Sequence, residues 1–338
     1  MATTRPFPSR STCALRRTPL AAAAWLAASC ALAQTATLAP VTVSGKTSPG
    51  ASIAGWGDVP LSKAPFQASV VTGEQLRDRD MQRLSDITRL DPAVGDAYNT
   101  EGYWDYLTVR GFVIDNRFNY RRDGLPISAE TAIALDNKES IEVLKGTSGL
   151  QAGTSAPGGL VNFVVKRPTD EALRKASLGW RQSGTVVGAV DLSQRFGAAQ
   201  AFGVRVNAAA AHLDPLVRNA RGERHLLAVA ADWRVAPDTV LEAEFETSHR
   251  SQPSVPGFSL LGPAVPKPVD PRINLNNQPW SLPVVLDGDT ASLRFSQRLT
   301  KDWRWTVHAA TQRLTSQDRV AFPFGFDCHP ARDRKSVV

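Results

Sequence analysis

From residue 170 onward the chain alternates, and that alternation limits the architectures open to it. Between 239 and 247, Leu241, Ala243 and Phe245 are interleaved with Glu242, Glu244 and Glu246. Between 291 and 299, Ala291, Leu293, Phe295 and Leu299 are interleaved with Ser292, Arg294, Ser296 and Arg298. Residues 303–309 set Trp303, Trp305, Val307 and Ala309 against Arg304, Thr306 and His308, and 226–235 set Leu227, Val229, Ala231, Trp233 and Val235 against Asp232 and Arg234. A repeat of two is the side-chain period of a β-strand. With 176–182, 186–196 and 202–211, the segment predicts seven strands. Glutamates at every second position require a wet face, and the apolar residues between them a dry one. A soluble sandwich or a membrane barrel supplies that pair of faces. Trp180, Trp233, Trp303 and Trp305 fall near strand ends, where the aromatic girdles of a barrel lie. No stretch reaches the roughly 18 apolar residues of a membrane helix, which leaves strands as the way to cross a bilayer. The segment from Arg250 to Leu286 carries eight prolines and is too long and apolar for a short periplasmic turn; it is expected on the extracellular side.

The N-terminus reads as an export signal. Arg5, Arg10, Arg16 and Arg17 precede an apolar run from Leu20 to Ala33, and Ala31-Leu32-Ala33 has the small-x-small form of a cleavage site. The run is short for a transmembrane anchor, and Ala27 stands where a lipoprotein signal through Cys30 would carry a larger aliphatic residue. Cleavage before Gln34 lowers the excess of basic over acidic residues from seven to three. The high isoelectric point is thus partly a leader effect and gives no ground for nucleic-acid binding. Of Cys13, Cys30 and Cys328 only the last survives cleavage, and the five histidines are scattered, so no metal-ligand spacing is present.

Residues 34–50 are rich in Ala, Thr, Ser, Pro and Gly and predict a flexible tail. Within it Leu38-Ala39-Pro40-Val41-Thr42-Val43-Ser44 is a β-branched patch suited to adding a strand to a partner's sheet edge. Residues 51–169 read as an α+β domain. A strand at 67–71 runs into a helix for which Thr72 is the N-cap and Gln75 the capping-box residue. A second helix is expected over 84–90, ended by Asp91-Pro92. Residues 107–112 predict a strand with a glycine break, and Asp123-Gly124-Leu125-Pro126 a turn. The segment 141–168 follows, a strand signal (IEVLK), a turn with glycines at 146, 149, 153, 158 and 159, and an apolar strand closed by Pro168.

Four motifs occur in order: LTVRGF (107–112), RDGLP (122–126), IEVLKG (141–146) and SAPGGLVNFVVKRP (155–168). Together they resemble the plug of TonB-dependent outer-membrane receptors, especially the siderophore-receptor branch, over about 34–169. The resemblance implies an α+β plug domain at 51–169 followed by antiparallel transmembrane β-barrel strands, the barrel being incomplete because 170–332 supply about seven strands where such receptors use about 22. It implies a monomer in the bacterial outer membrane, bathed in outer-membrane lipid, with no intrinsic cofactor and no nucleic acid. A ferric siderophore would bind outside and enter when the TonB protein of the TonB–ExbB–ExbD system pulls on 38–44, which resembles the TonB box. The gap from Ala33 to Leu38 leaves no room for an added signalling domain, so transport alone is expected.

Arg110 matches the arginine of the family's strand-RGF motif, which contacts ligand in some hydroxamate receptors. A guanidinium fork suits chelate oxygens, and a structural ion pair inside the plug is the alternative. Tyr98, Tyr103, Trp104 and Tyr106 cluster before it, and Arg117, Tyr120 and Arg121 follow. The ligand-binding candidates are Arg110, Tyr103, Trp104, Arg117 and Tyr120, against the alternative of packed plug surface. Ser140, Thr147 and Ala152 depart from the family pattern and put the packing of that plug loop in question.

Other readings compete. A receptor of this class for haem, cobalamin or a glycan is one, although scattered histidines speak against haem. A passive adhesin or porin-like protein is another. A secreted serine hydrolase is remote: Gly153-Thr154-Ser155-Ala156 resembles the nucleophile segment of subtilisin-like proteases, but no matching Asp or His motif accompanies it, so no catalytic or metal residue is assigned and no enzyme is expected. Seven strands cannot close, and open edges in lipid leave backbone groups unpaired, so truncation is expected. The last six residues, 333–338, can be encoded by a common sequencing-adapter stretch and are expected to be non-native.

Overall fold

The computed structural model describes residues 61–64, 66–98, 101–146, 157–181, 183–255, 270–274 and 276–319. The export signal, Leu38–Ser44, Thr147, Ala152, Ser155, Cys328 and the last six residues lie outside the described residues.

The first strand, β1 (Gln67–Thr72), ends on the residue that starts α1 (Gly73–Asp78). Gln75 N donates to Thr72 Oγ1 at 3.3 Å and Thr72 N donates to Gln75 Oε1 at 3.0 Å, the reciprocal box expected from the sequence. The second helix is a 3-10 helix, Leu84–Arg89; the Asp86 carboxylate holds its start by accepting from the Gln82 and Arg83 amides. Asp91-Pro92 then leads into β2 (Val94–Asp96). The strand expected over 107–112 is instead a hairpin. Chain direction reverses between β3 (Leu107–Val109) and β4 (Phe112–Val113) through Arg110 at φ 52° and Gly111 at φ 82°. Two left-handed residues make the tight turn whose twist matches the flanking strands. Asp123 at φ 47° and Gly124 at φ 88° do the same between β5 (Tyr120–Arg122) and β6 (Leu125–Pro126).

Two longer strands, β7 (Lys138–Lys145) and β8 (Gly159–Val165), complete a five-stranded sheet of order β1-β7-β8-β5-β6; β2, β3 and β4 form a second, small sheet. Gly159 sits at φ 135°, and a Cβ there would lie 2.1 Å from the Leu144 carbonyl oxygen, so only glycine lets β8 approach β7. The core between these elements holds Ile87, Leu107, Val109, Ile114, Tyr120, Ile141, Val143 and Phe163, all fully buried. A satellite cluster packs Leu61, Phe66, Ala68 and Val70 on Leu144 and Leu160.

All seven strands expected after residue 170 form; the one expected over 186–196 has those bounds, and the other six are longer than or shifted from their alternating stretches. They are β9 (Leu173–Trp180), β10 (Val186–Phe196), β11 (Phe202–Leu213), β12 (Gly222–Ala236), β13 (Thr239–Gln252), β14 (Val284–Arg298) and β15 (Arg304–Gln317). They pair antiparallel in chain order as one open sheet, in which β9 and β15 have one neighbour each among the described residues. The connections at one end are residues 197–201, 237–238 and 299–303; at the other they are 181–185, 214–221 and 253–283.

Register sorts the side chains. The row Val206, Val229, Phe245 and Ala291 lies on the outer face, with Leu192, Leu227, Leu293 and Val307 on the same face. Near the short-turn end Phe196, Phe202 and Trp233 stack at 5.8 and 5.5 Å, and Phe295 meets Trp305 at 5.3 Å. Trp180 stands at the opposite end. Toward that end the outer face turns polar, where His225 stacks on His249 at 4.8 Å and His249 Nδ1 meets Asp287 Oδ1 at 2.6 Å. The eight steps from Trp233 back to His225 span roughly 27 Å along a strand, which with strand tilt fits the apolar band of a membrane barrel, about 25 Å tall. The inner face carries Glu242, Glu244, Glu246, Arg250, Thr290 and Arg294, and the plug sits against it.

Candidate functional site: the plug turns and the plug–wall seam

The three glutamates that alternation assigned to a wet face meet the plug's cations. Arg122, at the end of β5, donates to Glu244 Oε1 and, at 2.6 Å, to Glu246 Oε2. Lys138 Nζ and Asn137 Nδ2 reach the same Glu246 oxygen at 2.9 and 2.6 Å. All these side chains are buried. Burial and the adjacent Arg122 charge push the Lys138 ammonium below its ordinary pKa, opposed by Glu246. Below this group Arg294 reaches Asp123 at 3.1 Å and Glu242 at 3.5 Å, and Arg167 joins both acids. Farther round the wall Lys166 and Arg205 share Asp191 at 2.9 and 2.8 Å, and Arg224 holds Asp136 at 2.7 Å. Opposite charge within reach is what lets such charges be buried, although Arg122 Nε and Glu244 Oε2 make no hydrogen bond among the described residues, and removing one member leaves the others uncompensated. This seam was missed in the sequence, where Arg122, Lys138 and Glu246 are ordinary strand residues; only the spacing of the three glutamates hinted at it.

A cavity of about 550 Å³ lies where α1 and β7 face β9 and β10; Arg77, Lys138, Lys166 and Lys175 are among its lining residues. Its walls include none of the five ligand-binding candidates.

Those candidates separate into three environments. Arg110 is exposed on its turn, and its guanidinium donates to the neutral amide oxygen of Gln67. Among the described residues no carboxylate ion pair holds it. Arg117 is also exposed, 3.4 Å from Asp115 and 3.8 Å from Glu130, with its guanidinium 5.5 Å from the Phe118 ring centre. Phe112 is 61% exposed and Phe118 59% exposed. Phe112 follows Arg110 by two residues and Phe118 follows Arg117 directly, with buried Ile114 between the two rings.

Tyr103 and Trp104 occupy a different place. Tyr103 is 7% exposed, packed with Val284 and Leu286 of β14, and its hydroxyl donates to Asp318 Oδ2 at 2.7 Å. Burial and the Asp318 carboxylate raise the phenol pKa, which keeps the proton on the donor. Trp104 lies on Tyr103 with ring centres 4.0 Å apart, and Tyr98 joins Tyr106 at 4.8 Å. The long connection meets the plug nearby, where Val255 N donates to the Glu101 carbonyl at 2.8 Å. Tyr120 departs from that expectation: it is 0% exposed in the plug core, its ring 6.4 Å from that of Phe163. Arg121 is likewise buried, donating to the Phe118 and Tyr120 carbonyls at 2.8 and 3.0 Å. Period-two alternation cannot tell an apical tyrosine from a core one within a strand of three residues.

Comparison with known proteins agrees with this architecture. Residues 60–160 match the family model described as the TonB-dependent receptor plug domain. The ferrichrome receptor FcuA of Yersinia enterocolitica is 23% identical over 284 residues, 81% of this chain and 36% of that protein. The ferripyoverdine receptor of Pseudomonas aeruginosa is 32% identical over 126 residues, 35% of this chain and 15% of that protein. Among solved structures, the ferric preacinetobactin receptor BauA of Acinetobacter baumannii superposes with a TM-score of 0.70 at 20% identity, covering 76% of this chain and 39% of that one. The Pseudomonas aeruginosa ferripyoverdine receptor bound to ferripyoverdine gives 0.67 at 19% identity, covering 86% of this chain and 39% of that one. The chain spans about a third of the length of the curated relatives it matches.

Proposed function

We propose that this chain, a TonB-dependent receptor by its plug and by the strands that enclose it, serves to import a ferric siderophore across the bacterial outer membrane within a closed barrel. One observation carries the reading: a plug keyed by Arg122 and Lys138 into the charged inner face of a wall whose outer face is apolar. A stopper held by ion pairs rather than by an apolar core can be displaced and reseated, because water re-solvates the charges that it uncovers. The relatives named for ferrichrome, pyoverdine and ferrioxamine support the cargo class. Arg110 and Arg117, exposed beside Phe112 and Phe118, suit the anionic oxygens and flat faces of an iron chelate.

Displacement needs work. In this reading residues 1–33 are the leader, 34–50 the tail, 51–169 the plug and 170–332 barrel strands. Leu38–Ser44 adds a strand to TonB, and the TonB–ExbB–ExbD system pulls. The test is deletion of 38–44 from the full-length receptor in iron-starved cells. Surface binding of radiolabelled ferric ferrioxamine B or ferrichrome should persist while uptake disappears; uptake at the undeleted rate sinks the mechanism.

A further inference from the structure

Three histidines scattered along the sequence share the outer face of the wall, at the end that carries the long connection. Strand pairing brings them together, which is why no metal-ligand spacing shows in the sequence. His225 of β12 and His249 of β13 are register partners, and Asp287 of β14 continues the same row. His212 of β11 stands one row further out, opposite Glu223. The imidazoles of His225 and His249 stack, with ring centres 4.8 Å apart and planes inclined by 18°. Two imidazolium ions so close would repel, so the stack favours neutral rings, the form in which imidazole binds a metal. His249 Nδ1 lies 2.6 Å from Asp287 Oδ1. A carboxylate accepts and does not donate, so it draws the His249 proton to Nδ1 and leaves the Nε2 lone pair for another atom. A carboxylate on the far nitrogen is how metal-ligating histidines are held.

We propose that His225 and His249 bind a divalent transition metal of the Zn²⁺, Ni²⁺ and Cu²⁺ class, with Asp287 orienting His249. Imidazole nitrogen suits these ions, whereas a siderophore presents iron through oxygens, so the site is separate from the cargo reading and does not rest on it. Two ligand nitrogens, each about 2.0–2.1 Å from one zinc ion, lie within about 4 Å of each other, which rings stacked at 4.8 Å reach by side-chain rotation. Among the described residues no group of three His, Cys, Asp or Glu closes the coordination sphere, so its other positions fall to water or to headgroup oxygens of the surrounding lipid. The pair is interior to the sheet, since β11, β12, β13 and β14 are consecutive neighbours. Its row faces away from the plug, and strands that close the sheet would join at β9 and β15, leaving the row as it is. A metal held there ties β12 to β13 at the rim of the apolar band.

The test titrates Zn²⁺ into the full-length receptor in detergent micelles, purified without a polyhistidine tag, and reads binding by calorimetry. Wild type should take up one more Zn²⁺ per chain than the His225→Ala/His249→Ala double variant, and either single variant should lose that additional ion. Asp287→Ala should weaken the site about tenfold, the usual effect of removing a ligand's supporting carboxylate. His212→Ala, one row away on the same face, should leave it unchanged. These side chains point outward from the wall, and equal thermal unfolding of metal-free wild type and variants verifies that the fold is kept. Cu²⁺ supplies a second readout, with nitrogen hyperfine splitting from two imidazoles in wild type and from one in either single variant. Equal Zn²⁺ uptake by wild type and the double variant overturns the site. Splitting from a single imidazole in wild type, or loss of the ion in His212→Ala, overturns the pairing. Wild-type affinity in Asp287→Ala overturns the orienting role.

Discussion

Arg122 shows what a single residue does here. Its guanidinium faces two buried carboxylates, and Arg122→Ala strands both, a loss of about 3–5 kcal/mol in plug seating. The check is the urea concentration at which β5 amides of the full-length receptor lose protection, and Glu246→Gln combined with Arg122→Ala should recover part of the loss. Arg110 and Tyr120 were equal candidates in the sequence and are opposites in the structure. Arg110→Ala should weaken cargo binding about tenfold or more, since charge-assisted hydrogen bonds are worth roughly 1.5–3 kcal/mol. Tyr120→Phe should leave binding unchanged; a tenfold loss in titration calorimetry would reverse that assignment. Asp91 adds a pH dependence. Burial raises its pKa, but hydrogen bonds from Lys145, Ser69 and the Ala93 amide outweigh burial and leave it below the ordinary carboxylate value. A depressed folded-state pKa means that its stabilisation is present above the unfolded value near 3.9 and is lost as pH falls below it. Exchange at 69–71, corrected for intrinsic rate, should therefore rise on acidification from pH 6 to pH 3, and Asp91→Asn should flatten that rise.

At the scale of the element, alternation is the most legible feature. β12 to β14 put Leu227, Phe245 and Leu293 outward and Glu244, Glu246 and Thr290 inward, as their spacing requires. Leu227→Arg should destabilise insertion by about 2–4 kcal/mol if Leu227 lies at bilayer mid-depth. Equilibrium folding into lipid vesicles measures this, and a loss below about 0.5 kcal/mol would place Leu227 away from lipid. The capping box at Thr72 was legible for the same kind of reason, since it is a local exchange between residues three apart. The 107–112 hairpin was not: a strand propensity gives no sign that Arg110 takes a left-handed conformation, which is set by β4 pairing back on β3. The 3-10 character of Leu84–Arg89 was hidden likewise, because Asp86 tightens the turn through contacts at its own start.

At the scale of the whole molecule, plug and wall define one another. Among the described residues the open sheet leaves β9 and β15 with one neighbour each, and a bilayer tolerates such edges only when further strands pair with them. In micelles this chain should therefore exchange fastest along β9 and β15 and slowest along β12 and β13; uniform protection would mean that the edges find partners. By itself the sequence determined the seven strands, their lipid face, the plug's order of motifs and its helix cap, because period-two patterning and capping depend on neighbours within a few residues. Only the tertiary structure decided that Glu244 and Glu246 face Arg122 and Lys138 rather than water, that Tyr120 is core, that Tyr103 belongs to the seam, and that Gln67 holds Arg110. Those pairs lie tens to hundreds of residues apart, and burial and charge pairing are properties of the space that two distant segments share.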